Sequence, residues 1–190
     1  MLNKQHNNKL NKQQGFTIVE LLIVIVVIAI LAAISIVAYN GIQTRAENSK
    51  TATAVSSWAK ALQMYKIDKG NYPPINTCLG DLGTYTSSFN GVCWGVSSST
   101  VWVVQPTFLT VMKDYVGTAA SPSSKNVNTD IDQFRGAMYY ATSGGGEEVR
   151  VTFIGASNNL ADCTSISGLN SPYALTSWSN GRSCYYKLPQ

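Results

Sequence analysis

The chain has 190 residues, of which 45% are apolar and only 13% are charged. This is about half the charge density of an average soluble domain, and the length suits one domain with an accessory segment. The formal net charge is +4, and three lysines before Gly15 supply most of it. The rest of the sequence is almost neutral, so its composition does not indicate a surface that binds nucleic acid.

Histidine occurs once, as His6, near the start of the chain. From residue 16 onward no imidazole is available for a Ser-His-Asp or Cys-His pair, or for a histidine metal site. The sequence also lacks the GxxxxGKS/T and GxGxxG patterns, and two glutamates follow the glycines at 144–146, where they would repel phosphate. We therefore expect neither an enzyme nor a cofactor.

The stretch from Ile18 to Ala38 is apolar except for Glu20 and Ser35. As a helix it would be about 31 Å long, which matches the bilayer hydrocarbon thickness of about 30 Å. Its isoleucine, leucine and valine residues favour insertion by about 4–9 kcal/mol, against about 3 kcal/mol or less for Glu20 near one end. The sequence therefore predicts a membrane-spanning helix.

A cleaved secretory signal peptide and a passive single-pass anchor show a similar pattern. The apolar run is longer than the usual core of a signal peptide, and an acidic residue would serve no purpose in a discarded segment. A passive anchor stays open as an alternative. All four cysteines follow the helix, which favours an oxidising compartment for the part of the chain beyond it.

From residue 39 the hydrophobic pattern becomes that of an amphipathic helix. Gly70 is the expected residue after its C-terminus, because the prolines at 73–74 prevent continuation. One helix is therefore predicted over residues 18–69. The apolar residues that share one face of its second half, and that we expect in the core, are Val55, Trp58, Leu62 and Tyr65.

After this helix the sequence contains several short segments with the pattern of antiparallel strands. A helix followed by such strands indicates the α+β class, with a long N-terminal helix packed against an antiparallel sheet. The predicted elements are a strand at 99–105, a short helix at 107–116, an exposed linker at 117–128, a hairpin formed by 134–142 and 147–154, and a last strand at 184–188.

A basic leader ends at Gly15-Phe16, the segment Thr17-Ile18-Val19-Glu20 opens the apolar run, and Tyr39 and Arg45 follow it. Over residues 12–50 this arrangement resembles the amino-terminal region of type IV prepilins. The Gly-Phe pair matches the cleavage junction of that family, and Glu20 lies at the position of its glutamate, five residues into the mature chain.

The resemblance implies a processing sequence. A membrane aspartyl peptidase on the cytoplasmic side would cut after Gly15 and methylate the new amine of Phe16. The apolar helix would first hold the subunit in the membrane and later pack in a filament core. Many members have glycine at the position of Ala29 and proline at that of Val37; because neither residue here breaks a helix, we expect a more continuous helix over 18–65.

Glu20 is the predicted assembly residue. A lone carboxylate in hydrocarbon needs a partner or a proton, and the resemblance implies the α-amine of Phe16 on a neighbouring subunit. The attraction is about 4 kcal/mol at about 4 Å and an effective dielectric of about 20, before the desolvation cost. A simpler interpretation is an interfacial glutamate without a role. For Thr17, the simpler interpretation is a hydrogen bond to a backbone carbonyl of the first turn.

Four cysteines allow three pairings. We favour Cys78–Cys93 and Cys163–Cys184, because each pair closes a local loop; the second also resembles the bridged carboxy-terminal loop of many pilins. Free buried thiols are the alternative.

Other polar and aromatic residues carry weaker signals. Asp130, Asp132 and Asp162 offer oxygen ligands of the kind that calcium uses, but acids in a polar loop are usually solvated, so no metal site is expected. Tyr185 and Tyr186 are interpreted as strand residues with one buried face, although exposed tyrosines can also contact a surface or DNA.

The predicted organisation is a leader at 1–15, a membrane and filament-core helix at 16–38, and a globular head at 39–190. The head comprises the amphipathic half-helix to 69, a loop-rich region at 70–130, and the sheet with a bridged C-terminal loop at 131–190. The resemblance implies a structural subunit of a type IV pilus, first in the bacterial cytoplasmic membrane and then on the cell surface.

Such a filament would serve adhesion, twitching motility or DNA uptake. Its expected partners are copies of the chain, the prepilin peptidase, and an assembly platform with motor ATPases; nucleic acid is possible but not indicated. The alternatives are a pseudopilin of a type II secretion system, a minor pilin, or a monomeric binding module with the helix as a tether.

Overall fold

The structure, a computed structural model, describes residues 15–85, 91–95, 101–118, 120–127, 133–141 and 146–190. The chain separates into two compact units, Met1–Gly41 and Ile42–Gln190. Helix α1 spans Ile18–Lys69, as the sequence predicts. After it, Gly70 takes φ 81° and its amide donates to the Lys66 carbonyl over 2.8 Å, which closes the last turn.

The second unit contains two antiparallel sheets. The larger one has five strands in the order β1-β5-β6-β8-β7, and the smaller one has three in the order β3-β2-β4. The strands are β1 (Thr77–Cys78), β2 (Val92–Gly95), β3 (Trp102–Val103), β4 (Gln133–Phe134), β5 (Ala137–Tyr140), β6 (Glu148–Ile154), β7 (Pro172–Trp178) and β8 (Gly181–Lys187); helix α2 spans Pro106–Met112 and a 3-10 turn Leu160–Asp162.

The main core lies between the second half of α1 and one face of the five-stranded sheet. Val55, Trp58 and Leu62 are buried, as expected, and Tyr65 packs at the edge of this cluster. The sheet contributes alternate residues of β5, β6 and β8, because successive side chains of a strand point to opposite faces. These residues are Ala137, Tyr139, Val149, Val151, Phe153, Cys184 and Tyr186.

The three-stranded sheet builds a second cluster on the opposite face of the large sheet. Trp94 and Phe134 pack edge to face at 4.9 Å between ring centroids, and Met138 of β5 belongs to the same cluster. A disulfide between Cys78 and Cys93 lies within it. The region at 70–130 therefore contains two short strands, β1 and β2, that the sequence does not reveal.

Polar contacts fix α1 to the rest of the unit. Asn48 donates through Nδ2 to the Ile154 carbonyl at 3.0 Å and accepts at Oδ1 from the Ile154 amide at 2.8 Å. Its side-chain amide thus continues the hydrogen bonding of β6 at the strand end. The Trp58 indole donates to the Ala120 carbonyl over 2.8 Å.

Several predicted elements differ in detail. The segment at 117–128 is not simply an exposed linker, since Ser123 and Val127 are buried and the Ser123 amide donates to Thr51 Oγ1. Phe134 belongs to β4 and not to the hairpin, because Gly136 takes φ 62° and the chain changes sheet there. Three further elements differ in extent. Among the described residues, the strand predicted at 99–105 covers 102–103, the helix predicted at 107–116 covers 106–112, and the last strand, predicted at 184–188, covers 181–187. Strand β7 was not predicted.

Candidate processing and assembly site

The first turn of α1 is closed by reciprocal hydrogen bonds between Thr17 and Glu20. The Glu20 amide donates to Thr17 Oγ1 at 3.3 Å, and the Thr17 amide donates to Glu20 Oε2 at 2.8 Å. The Thr17 hydroxyl also donates to Glu20 Oε2, at 2.7 Å. This arrangement is a capping box, in which two orphan amides at a helix N-terminus are satisfied by two side chains.

The capping box corrects the interpretation of Thr17. Its hydroxyl donates to a carboxylate and not to a backbone carbonyl. The spacing Thr17-x-x-Glu20 ahead of an apolar run is the sequence pattern of a capping box, so the signal was present in the sequence. Glu20 therefore has a local partner at Oε2, while Oε1 makes no hydrogen bond to the described residues.

The residues of the expected cleavage junction lie outside the helix. Gly15, Phe16 and Thr17 precede its first residue, and Phe16 is 84% exposed. A Cβ added at Gly15 would meet no atom within 4 Å. The described structure therefore leaves this peptide bond accessible and does not itself require glycine at position 15.

The apolar first part of α1 leaves its side chains exposed. All of residues 18–36 are exposed, including Leu22, Ile25 and Leu31, which are each more than 50% exposed. Within the described residues, α1 is the one helix long and apolar enough to cross a membrane, a test of length and composition only.

The cysteines form two disulfides in the second unit, Cys78–Cys93 and Cys163–Cys184. Asp162 accepts a hydrogen bond from Ser157, and no group of three or more metal-binding side chains occurs among the described residues. Asp130 and Asp132 lie outside the described residues.

The two adjacent tyrosines of β8 lie on opposite faces of the sheet. Tyr186 is buried and donates to the Thr164 carbonyl over 2.6 Å; burial raises the pKa of its phenol. Tyr185 is half-buried, and its ring lies 5.1 Å from the Arg150 guanidinium. These positions agree with the interpretation of both tyrosines as strand residues. The sequence did not reveal the contact between Tyr185 and Arg150.

Comparison with known proteins places the similarity at the amino terminus. Residues 10–36 match the model of the prokaryotic N-terminal methylation motif. The chain is 36% identical to the type II secretion system core protein G of Escherichia coli strain K12, over 38% of this chain and 50% of that protein. It is 37% identical to the type IV major pilin protein PilE1 of Neisseria gonorrhoeae, over 36% and 41% of the two chains.

A third relative, the fimbrial protein EcpC of Eikenella corrodens, is 36% identical over 40% of this chain and 50% of its own. The chain thus matches these curated relatives over half of their own length or less. No solved structure matches it. The chain is thus similar to type IV pilins and to type II secretion core protein G through the methylation motif at residues 10–36 and over about two fifths of its length.

Proposed function

We propose that the chain is a pilin-type structural subunit that is cut after Gly15 and assembles into a type IV pilus through its apolar helix. The observation that carries this proposal is the junction itself. An exposed, non-helical Gly15-Phe16 pair directly precedes a capped, fully exposed apolar helix, inside the methylation motif. A soluble domain would gain nothing from such a helix, whereas lipid or sister helices can cover it.

Cleavage would create an α-amine at Phe16, which the same peptidase would methylate. The Phe16–Thr17 peptide survives this cut, so the capping box of Thr17 and Glu20 survives with it. Because Thr17 occupies only Oε2, Oε1 of Glu20 stays available for the amine of a neighbouring subunit. We propose that this pair sets the axial position of each subunit, since a misplaced subunit would leave a buried charge unpaired.

The proposed organisation keeps the leader at 1–15, the membrane and filament-core segment at 16–38, and the head at 39–190. The subunit would wait in the bacterial cytoplasmic membrane and then reside in a surface pilus. Its partners would be copies of itself, the prepilin peptidase, and an assembly platform with motor ATPases. The role is structural, as for the relatives named as pilins.

A pseudopilin of a type II secretion system is the second candidate. The observation in its favour is that type II secretion core protein G resembles this chain as closely as PilE1 does, at 36% against 37% identity. A minor pilin would share all of the described features. Electron microscopy of sheared surface material separates a pilus from a pseudopilus, because a pilus yields long filaments that contain this chain.

Mass spectrometry of the amino terminus tests the processing. We expect a mature chain that begins with N-methylated Phe16, and a chain that retains the leader in the filament would contradict the proposal. Gly15→Val is expected to block cleavage. Gly41→Ala is the matched control, because a Cβ at Gly41 also meets no atom within 4 Å and lies far from the junction in sequence.

A further inference from the structure

The face of the large sheet that is turned away from α1 carries a row of aromatic and basic side chains. Four adjacent strands, β5, β6, β8 and β7, each contribute one member: Tyr140, Arg150, Tyr185 and Tyr173. The Arg150 guanidinium lies 5.0 Å from the Tyr140 ring and 5.1 Å from the Tyr185 ring, and the Tyr185 and Tyr173 rings are 6.4 Å apart. We call this set the aromatic row.

Trp102 of β3 extends the aromatic row beyond Tyr140, with 5.9 Å between their ring centroids. The three-stranded sheet packs on one side of the row: the Trp94 ring lies 5.4 Å from the Arg150 guanidinium and 6.1 Å from the Tyr185 ring, and Phe134 covers the neighbouring part of the same face. The row itself stays partly open: Tyr173 is 48% exposed, and the side chain of Arg150 is 26% exposed. Clustered, partly exposed aromatic residues of this kind mark binding surfaces more often than isolated ones do.

The acid on this face is already neutralised. Glu148 is 7% exposed in its side chain and pairs with Arg150 Nη2 at 2.5 Å. It also accepts a hydrogen bond from the Tyr173 hydroxyl. Burial, and then this hydrogen bond, raise the pKa of Tyr173 to about 12, so the ring is uncharged at neutral pH.

A positive charge is left over at the end of the row. Lys187 has a side chain that is 42% exposed, and its ammonium donates to the Gly146 carbonyl at 2.9 Å and lies 5.1 Å from the Tyr173 ring centroid. It is 3.9 Å from Glu148, which Arg150 already neutralises. Burial raises the pKa of Tyr139 in the core on the opposite face, and the charge of Glu147 adds to that rise. The aromatic row therefore suits a partner with flat apolar ring faces and a negative charge.

We propose that the aromatic row binds an acidic glycan, whose sugar rings pack on Tyr173 and Trp102 and whose carboxylate pairs with Lys187. The row is one side chain wide and crosses three strand spacings, or about 14 Å, which suits a linear chain. A stable protein interface needs about 800 Å² per partner, more than so narrow a strip offers.

This inference goes beyond filament assembly, because every residue of the site lies in the unit Ile42–Gln190. It can therefore be tested on the full-length chain purified in detergent, whether or not that chain polymerises. The probes are oligosaccharides of hyaluronan, alginate and polygalacturonate, with a neutral chito-oligosaccharide of equal length and oligo(dT) for comparison. Isothermal titration calorimetry measures each affinity at low and at high salt.

We expect at least one acidic glycan to bind, more tightly than the neutral one, and to weaken as salt rises. Tyr173→Ala should reduce the affinity about five- to tenfold, whereas Tyr173→Phe should keep it. Lys187→Gln should reduce it about threefold and flatten the salt dependence, and Lys113→Gln, an exposed lysine after α2, should change nothing. Circular dichroism checks that each variant is folded.

Three results would overturn the proposal. The first is that no acidic glycan binds more tightly than about 1 mM. The second is that Tyr173→Ala and Lys187→Gln bind as the wild type does. The third is that oligo(dT), or a second copy of the chain, occupies the aromatic row more tightly than any glycan, as judged by loss of that binding in Tyr173→Ala.

Discussion

Replacing Glu20 with glutamine separates the capping role that the structure shows from the role in assembly that we propose. Glutamine keeps an acceptor for the Thr17 amide, and it is the other residue that capping boxes use at this position. The start of α1 should therefore change by less than the cost of losing a cap, which is about 1 kcal/mol. What glutamine removes is the negative charge of the carboxylate.

The magnitude at stake follows from the proposed pair with the Phe16 amine. An attraction of about 4 kcal/mol at about 4 Å and an effective dielectric of about 20 is opposed by the cost of burying both charges. If the net stabilisation by this pair is about 1.4 kcal/mol per subunit contact, the association constant falls about tenfold on substitution. Because each subunit of a filament repeats the contact, we expect Glu20→Gln to give little or no filament.

Quantitative immunoblotting of sheared filaments against the membrane fraction measures this effect. We expect Glu20→Gln in the membrane at the wild-type level and at least tenfold depleted from the filaments. Thr17→Ala is the matched variant, since it removes half of the capping box and leaves the charge, and Thr17→Ser should restore the box. Wild-type filament yield from Glu20→Gln, together with loss in Thr17→Ala, would refute the charge argument and favour a capping role.

Three further predictions concern the head in the full-length chain. Trp58→Ala should cost about 3–5 kcal/mol of unfolding free energy, because the side chain is 1% exposed; denaturant titration measures it. Replacing Cys78 and Cys93 with alanine should cost about 3 kcal/mol for a sequence separation of 15, also by denaturant. The Asp68 pKa is lowered by the hydrogen bond from Tyr115 and then by Lys69. The stability that ionised Asp68 gives to the folded head is therefore present above the ordinary carboxyl pKa, and it is lost as pH falls through the lowered pKa. Tyr115→Phe should raise that pKa, as followed by NMR.

The sequence predicts α1 well because its signals are local. An uninterrupted apolar run, a helical 3, 4, 3 spacing and Gly70 before two prolines mark its course and its end. The hairpin of β5 and β6 is equally local, since Val149, Val151 and Phe153 alternate along one strand.

The parts that the sequence could not predict depend on contacts between distant segments. Strand β1 has two residues, which is too short for any periodicity, and β7 lacks a strict alternation of apolar and polar residues. The aromatic row depends on register: Arg150 meets Tyr185 because these two residues are cross-strand partners in β6 and β8. No pattern within either strand specifies that pairing.

The two halves of α1 meet different physical demands. The head draws its core from residues at and beyond position 52, so it does not depend on the apolar residues at 18–36 for its stability. In the proposed assembly those residues would exchange lipid neighbours for other helices, and this exchange would yield little hydrophobic free energy because both surroundings are apolar. Packing and polar contacts must therefore decide the arrangement. Glu20 is the single charged side chain between residues 18 and 44, and so it is the group in this segment best able to distinguish one axial position from another.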